Sequence, residues 1–102
     1  DKLMVLEIGS KLHLIFQEIL KDHLTNIEKE LVDEELKLSG HIDGTMEVNG
    51  KLCIVEFKTI SPYALRYGSV PYEHHIDQLH AYIYLWNKTQ DTRIEKGLLV
   101  YM

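Results

Sequence analysis

Residues 40–59, GHIDGTMEVNGKLCIVEFKT, are the stretch of the chain that decides its fold. Asn49-Gly50 lies between two apolar runs, which is the strongest short-range signal for a β-hairpin with a two-residue type I′ turn. We therefore predict a hairpin whose strands span roughly Gly40–Val48 and Lys51–Thr59. With Asn49-Gly50 as the loop, every opposed pair of residues follows from counting outward.

That count places two carboxylates face to face. Asp43 falls opposite Glu56, with Cβ atoms roughly 5 Å apart, and Lys58 shares their face as a diagonal neighbour. Two carboxylates at this separation repel by about 3 kcal/mol at an effective dielectric near 20. The count therefore predicts a divalent cation between them, with Lys58 as a third catalytic group. A β-bulge between Asp43 and the turn would shift the register and turn Asp43 away.

Composition places the chain among ordinary globular proteins. Its 102 residues are 45% hydrophobic and 26% charged, enough for one domain with a modest core. No apolar run approaches the roughly 18 residues of a membrane span, so we expect no membrane association. The single cysteine, Cys53, excludes an internal disulfide and fits an intracellular setting. The net charge of −5 argues against a simple nucleic-acid-binding module, but not against an enzyme whose acidic site holds metal.

Hydrophobic periodicity predicts the remaining elements and an α/β class, a small mixed β-sheet flanked by helices. The predicted elements are an amphipathic helix over Val5–Leu31 that could instead start at Gly9-Ser10 with Ser10 as cap, a strand from Leu36 to Gly40, a loop over Ile60–Pro71, a helix over Tyr72–Asn87 and a strand over Glu95–Met102. One hairpin face is expected to pack on a helix; it carries Ile42, Gly44, Met46, Val48, Cys53, Val55 and Phe57.

Histidines near the first helix's apolar stripe are candidate metal ligands. His13 lies on the shoulder of that stripe, where a neutral imidazole could reach the sheet edge. His23 is a comparable candidate by angle. The alternative for His13 is a partly buried histidine bonded to a carbonyl group.

The second predicted helix carries a polar stripe. Gln78 and Tyr82 are four residues apart and stack on one face, and His75 joins them three residues earlier. The stripe is a candidate for contacts with substrate or with catalytic groups. The alternative is an ordinary boundary between the polar and apolar faces of an amphipathic helix.

These groups suit phosphodiester hydrolysis. Carboxylate oxygens prefer Mg²⁺ or Mn²⁺, which would lower the pKa of a bound water and polarise the phosphate. The backbone carbonyl of Phe57 could complete the metal shell, and Lys58 would position the water and stabilise the transition state. The alternative for Glu56-x-Lys58 by itself is a surface ion pair.

Contact with a phosphodiester substrate would come from local cations despite the acidic total charge of the chain. Arg66 lies among Tyr63, Tyr67 and Tyr72, and such a mixture of aromatic and cationic side chains suits stacking on unpaired bases. The alternative is a loop whose tyrosines anchor it to the core. Further candidate cations are Lys58, Lys88, Arg93 and Lys96.

Four short motifs, taken in order, resemble the PD-(D/E)XK nuclease superfamily and, more narrowly, its RecB-like exonuclease branch. They are Gly9-Ser10-…-His13, Gly40-…-Asp43, Glu56-x-Lys58 and Gln78-x-x-x-Tyr82. The resemblance covers nearly the whole chain and implies one nuclease-like domain over residues 1–102 with a restriction-endonuclease-like core.

The resemblance also implies roles for the matching residues. It assigns one or two Mg²⁺ or Mn²⁺ ions to His13, Asp43 and Glu56, the catalytic lysine to Lys58, and the orientation of DNA or active-site groups to Gln78 and Tyr82. The iron–sulfur members of the branch need four cysteines, so no iron–sulfur cluster is expected here. His41-Ile42 stands before Asp43 where the superfamily name has proline, a position that is often degenerate in this branch.

The leading hypothesis is a metal-dependent deoxyribonuclease, an exonuclease acting on DNA ends or single strands. We expect it in the cytoplasm or nucleoid of a prokaryote or phage system, as a homo-oligomer or within a larger DNA-processing complex. The alternatives are a nuclease-like subunit that binds DNA or a partner protein without cutting, and an unrelated small α/β domain.

Overall fold

A computed structural model describes residues 3–7, 13–68 and 70–101. The helices and strands of this part of the chain are, in order, β1 (Leu3–Glu7), α1 (His13–His23), β2 (Glu30–Asp33), β3 (Leu38–His41), β4 (Gly44–Val48), β5 (Lys51–Lys58), α2 (Pro62–Tyr67), α3 (Glu73–Thr89) and β6 (Lys96–Tyr101). The predicted α/β class is therefore confirmed.

The strands form one mixed sheet and one separate hairpin. The larger sheet has the order β1-β6-β5-β4, in which β1 and β5 run parallel to β6 and β4 runs antiparallel to β5. The smaller sheet is the antiparallel pair of β2 and β3, which packs against α3. This arrangement confirms the small mixed sheet with flanking helices.

The predicted turn and register are confirmed. Val48 pairs with Lys51, and the register continues without a bulge to the pair Gly44 and Val55. Asn49 and Gly50 have φ values of 52° and 77°, and a type I′ turn requires positive φ at both positions. The first strand is shorter than predicted, because residues 38–41 pair with β2 instead of extending β4.

The first predicted helix exists as α1, but its predicted bounds, Val5–Leu31, are wrong. Its first predicted residues belong to β1, which pairs with β6 from the other end of the chain, and its last ones belong to β2. The helix ends at His23, and Asn26 and Glu28 then take positive φ values, which a continuing helix does not allow. The alternative start at Gly9-Ser10 lies outside the described residues.

The predicted loop over Ile60–Pro71 contains the short helix α2. Ser61 caps it by accepting a hydrogen bond from the Ala64 N–H at 3.0 Å, and Pro62 occupies the first turn. Serine as N-cap followed by proline is a known signal for the start of a helix. The loop prediction took the prolines only as helix breakers and therefore missed this signal. The second predicted helix and the final strand are confirmed, with boundaries shifted by one or two residues.

The large sheet is covered on both faces. Ile54 and Leu99 pack under α3 with Leu79, while Val55 and Val100 pack under α1 with Leu20.

The hairpin face expected to meet a helix does so at Met46, Val55 and Phe57, which join the cluster under α1. For Ile42 that expectation is wrong: it is fully buried with the α3 cluster, because it precedes β4 and does not follow that strand's alternation. None of the helices in the described ranges is long and apolar enough to cross a membrane.

Candidate active site

Asp43 and Glu56 are joined by a crossed pair of hydrogen bonds at the end of the hairpin. The Asp43 backbone N–H donates to Glu56 Oε2 at 2.7 Å. In return, the Phe57 backbone N–H donates to Asp43 Oδ2, also at 2.7 Å. Regular pairing stops one residue earlier, so these side chains continue the hairpin register after the backbone ladder has ended. Each carboxylate therefore reaches the backbone of the other residue's segment, and the charge of Asp43 acts on Glu56.

The segment after α1 holds the Asp43 backbone from the other side. The Glu28 N–H donates to the Asp43 carbonyl at 3.1 Å, and the Ile42 N–H donates to the Lys29 carbonyl at 3.0 Å. Thr25 bridges the buried Thr45 through two backbone hydrogen bonds of 2.7 and 2.8 Å. Sequence reasoning missed this support, although Thr25 and its neighbour Asn26 are residues whose side chains compete with helix hydrogen bonding.

Glu56 is a buried acid with an unusual protonation equilibrium. Its side chain is only 3% exposed, and burial is the main cause that raises its pKa from 4.5 to about 7. The negative charge of Asp43 raises the pKa further, whereas the Asp43 N–H and the charge of Lys58 lower it. Near neutral pH, a positive charge placed at this pair would therefore favour the ionised carboxylate.

Lys58 is oriented by α3. Its ammonium group donates to Gln78 Oε1, and Gln78 Nε2 donates to Tyr82 Oη at 3.1 Å. Among the ion pairs formed by the described side chains, none joins Lys58 to Asp43 or Glu56. The predicted Gln78–Tyr82 stripe therefore faces the sheet and holds the lysine.

Gly40 of β3 provides the space for Tyr82. A Cβ atom at Gly40 would lie 2.6 Å from Cε1 of the Tyr82 ring, closer than carbon atoms can approach. Burial, with a smaller contribution from the charge of Glu56, raises the pKa of Tyr82, so the phenol stays protonated at neutral pH. In the sequence, Gly40 is recognised only as part of the motif that ends at Asp43, and no sequence signal indicates this contact.

His75 takes a different place from Gln78 and Tyr82. Its Nδ1 lies 2.7 Å from the hydroxyl of Tyr101, which also accepts the Tyr72 N–H at 3.1 Å. Burial is the first cause that lowers the pKa of His75. Tyr101 is the register partner of Lys58, so His75 supports the end of β6 beside the lysine.

Three predicted residues are not placed in this cluster by the described contacts. His13 begins α1, but its side chain lies outside the described part of the chain. The side chain of His23 is exposed at the end of α1. Arg66 lies on α2, with its guanidinium carbon 5.5 Å from the centroid of the Tyr67 ring.

Of the other candidate cations, two are engaged in ion pairs. Lys88 Nζ lies 2.9 Å from Oδ2 of the buried Asp33, and Arg93 pairs with the exposed Glu95 at 3.4 Å. Lys88 therefore ties β2 to α3, a structural role that its sequence context did not suggest.

The donor atoms suit a hard divalent cation. Asp43 Oδ2 and Glu56 Oε2 each accept one backbone N–H, which leaves lone pairs on both carboxylates for a cation. Within the described residues, no group of three or more histidine, cysteine, aspartate or glutamate side chains could hold a metal ion. Further ligands would have to be neutral oxygens, such as the Phe57 carbonyl, or His13.

The sequence matches the model of a known protein family. The family model of the PD-(D/E)XK nuclease superfamily matches residues 3–102. No match is found among curated proteins. The matched region contains every element that builds the site.

Replacing Gly40 by alanine tests the contact with Tyr82. We expect Gly40→Ala to lower the free energy of unfolding by about 1–3 kcal/mol, because the added methyl group overpacks the ring. In a Tyr82→Leu background the same change should cost much less, since the ring is gone. Urea denaturation of the four proteins measures this coupling, and an equal cost in both backgrounds would contradict the contact.

Replacing Glu56 by glutamine tests its burial. A raised carboxyl pKa adds stability that is fully present below pH 4.5 and is lost as the pH rises through about 7. The metal-free wild type should therefore lose about 3 kcal/mol across this range, and Glu56→Gln should not. Denaturation at both ends of the range checks this, with Glu47→Gln as the glutamate control. A Glu56→Gln effect that does not change with pH would refute the burial argument.

Proposed function

This chain belongs to the PD-(D/E)XK nuclease superfamily, and we propose that it is a divalent-metal-dependent nuclease that hydrolyses phosphodiester bonds in DNA. The observation that carries the proposal is the joined Asp43–Glu56 pair beside a lysine held by Gln78. Metal ligands and a separate cationic group are the two components that such a hydrolysis needs.

The metal would be Mg²⁺ or Mn²⁺, held by Asp43 and Glu56 with the Phe57 carbonyl and His13 as further ligands. When bound, it would supply charge to the phosphate and acidify the attacking water. Ionisation of Glu56 is opposed by burial and by Asp43 in the metal-free protein, so metal binding would release a proton near neutral pH.

Lys58 would stabilise the negative charge that develops on the phosphate and position the water. Its link to Gln78 restricts the ammonium group before substrate arrives, which reduces the reorganisation needed in the transition state. Tyr82 remains a hydrogen-bond donor at neutral pH and would orient the Gln78 amide or a phosphate oxygen. The three side chains thus form one positioning unit.

The substrate we propose is a DNA end or single strand, as in the RecB-like exonuclease branch. Tyr63 and Tyr67 on α2 are 76% and 65% exposed, and their ring centroids lie 5.1 Å apart. Arg66 packs on the second ring. Exposed aromatic rings next to a cation favour stacking with unpaired bases over contact with a duplex backbone.

Substitutions at the catalytic residues test the mechanism. Lys58→Ala, Asp43→Ala and Glu56→Ala should each reduce Mn²⁺-dependent cleavage by at least about a hundredfold, because each removes charge stabilisation or a metal ligand. Lys51→Ala, an exposed lysine at the far end of β5, is the matched control and should keep wild-type activity. Cleavage of labelled DNA, with circular dichroism to verify folding, provides the measurement.

Full activity of a folded Lys58→Ala protein would overturn the mechanism. Calorimetry with Mn²⁺ addresses the alternative function, a nuclease-like subunit that binds DNA or assembles with partners without cutting. Failure of the wild type to bind Mn²⁺ would favour that alternative. The observation that supports it is that the described residues contain no group of three or more histidine, cysteine, aspartate or glutamate side chains able to hold a metal ion.

Comparing linear and circular substrates tests the exonuclease proposal. We expect end-labelled linear single strands to be degraded with Mn²⁺ while closed circles of the same sequence stay intact, because an exonuclease needs a free end. The same circles, linearised by a single cut before digestion, verify that their DNA is otherwise cleavable. Cleavage of the closed circle would identify an endonuclease.

A further inference from the structure

We propose that a cavity on the α1 side of β5 receives an unpaired base of the strand that is cut, an inference that rests on the nuclease function proposed above. The cavity measures about 440 Å³, within the size range of small-ligand sites. Asp43 and Phe57, which are hydrogen-bonded to each other at the candidate active site, both line it. A group held there would therefore lie next to Asp43, one of the two carboxylates proposed to bind the metal.

The walls of the cavity have the chemistry of a base-binding site. Leu24, Ile27 and the aromatic residue Phe57 line it, and Ile27 is 60% exposed although it is a large apolar residue. Apolar and aromatic side chains bind the faces of bases without selecting a sequence. An exposed isoleucine at the rim gains from being covered by such a group.

The charges around the cavity favour a nucleotide over an apolar ligand. Lys21, exposed at the end of α1, lines the cavity and can contact the phosphate attached to the bound base. Glu28 and Asp43 also line it, so charges of both signs surround the cavity, and Lys21 is the cation among its lining residues.

The outer wall is fixed to the sheet. Thr25 pairs with Thr45 through its backbone, and the Glu28 N–H donates to the Asp43 carbonyl. The segment between these anchors carries Ile27, so the cavity is formed before substrate binds. A preformed cavity limits the ordering cost of binding.

A base inside a duplex cannot use this cavity, because both of its faces are stacked and its edge is paired. Entry requires extrusion from the stack, which costs least when the strand is already single. The cavity thus gives the site a preference for single strands or frayed ends that is independent of the tyrosines on α2.

Binding without cutting tests the inference. A fluorescent single strand and a base-free sugar–phosphate strand of equal length are titrated with the full chain in EDTA, and anisotropy is measured. We expect the wild type to bind the strand with bases about tenfold more tightly, and Ile27→Glu to remove that difference. Ile19→Glu, an equivalent change at an exposed isoleucine of α1, should preserve it. Lys21→Gln should weaken both strands, whereas Lys51→Gln should weaken neither.

The outcomes separate the two proposals. If the wild type cuts DNA but binds both strands equally, or if Ile27→Glu keeps the wild-type difference, the cavity inference fails and the nuclease function stands. If bases improve binding through Ile27 but Mn²⁺ never induces cutting, the cavity stands and the nuclease function fails. Equal weakening by Ile27→Glu and Ile19→Glu would show a general charge effect and also overturn the inference.

Discussion

The crossed hydrogen bonds between Asp43 and the end of β5 are the interaction on which the rest of the site depends. Each carboxylate accepts a backbone N–H from the other residue's segment, so neither side chain can be placed without the other. The bonds also end the hairpin ladder cleanly, because they satisfy N–H groups where backbone pairing stops. The site is therefore a continuation of the sheet.

Burying Glu56 close to Asp43 makes the ionised form of Glu56 unfavourable in the metal-free protein. Glu56 is buried near the Asp43 carboxylate, and the ammonium group of Lys58 donates its hydrogen bond to Gln78. The raised pKa of Glu56 is the physical expression of that cost. A bound cation at this pair would favour the ionised form of Glu56 and offset that cost.

The two faces of the sheet contribute different groups around Asp43 and Glu56. On one face, α3 supplies Gln78 and Tyr82, and Gly40 of the small hairpin leaves room for the tyrosine ring. On the other, α1 and the segment after it form a cavity that includes Asp43. Because alternate residues of a strand point to opposite faces, Glu56 and Lys58 meet α3 while Phe57 meets the cavity.

Much of the site could be predicted because it depends on local rules. The Asn49-Gly50 turn fixes the register, and the register alone relates Asp43 to Glu56. Helical spacing likewise relates Gln78 to Tyr82.

The prediction that failed concerned a contact between segments that are far apart in the sequence. Leu3–Glu7 became a strand because β6, far away in sequence, offers it a parallel partner, and periodicity within one segment carries no information about such a partner. For that reason, the helix predicted over Val5–Leu31 was assigned a start that is too early in the sequence.

By itself, then, the sequence determined the hairpin, its register and the class of the fold. The tertiary structure decided what surrounds the hairpin. It supplies the hydrogen bonds from Thr25 and Glu28, the space for Tyr82 at Gly40, the burial that raises the pKa of Glu56, and the cavity beside Asp43. The physical reason is distance along the chain. Turn and strand geometry act between near neighbours, whereas burial, close approach and cavity shape arise only where remote segments meet.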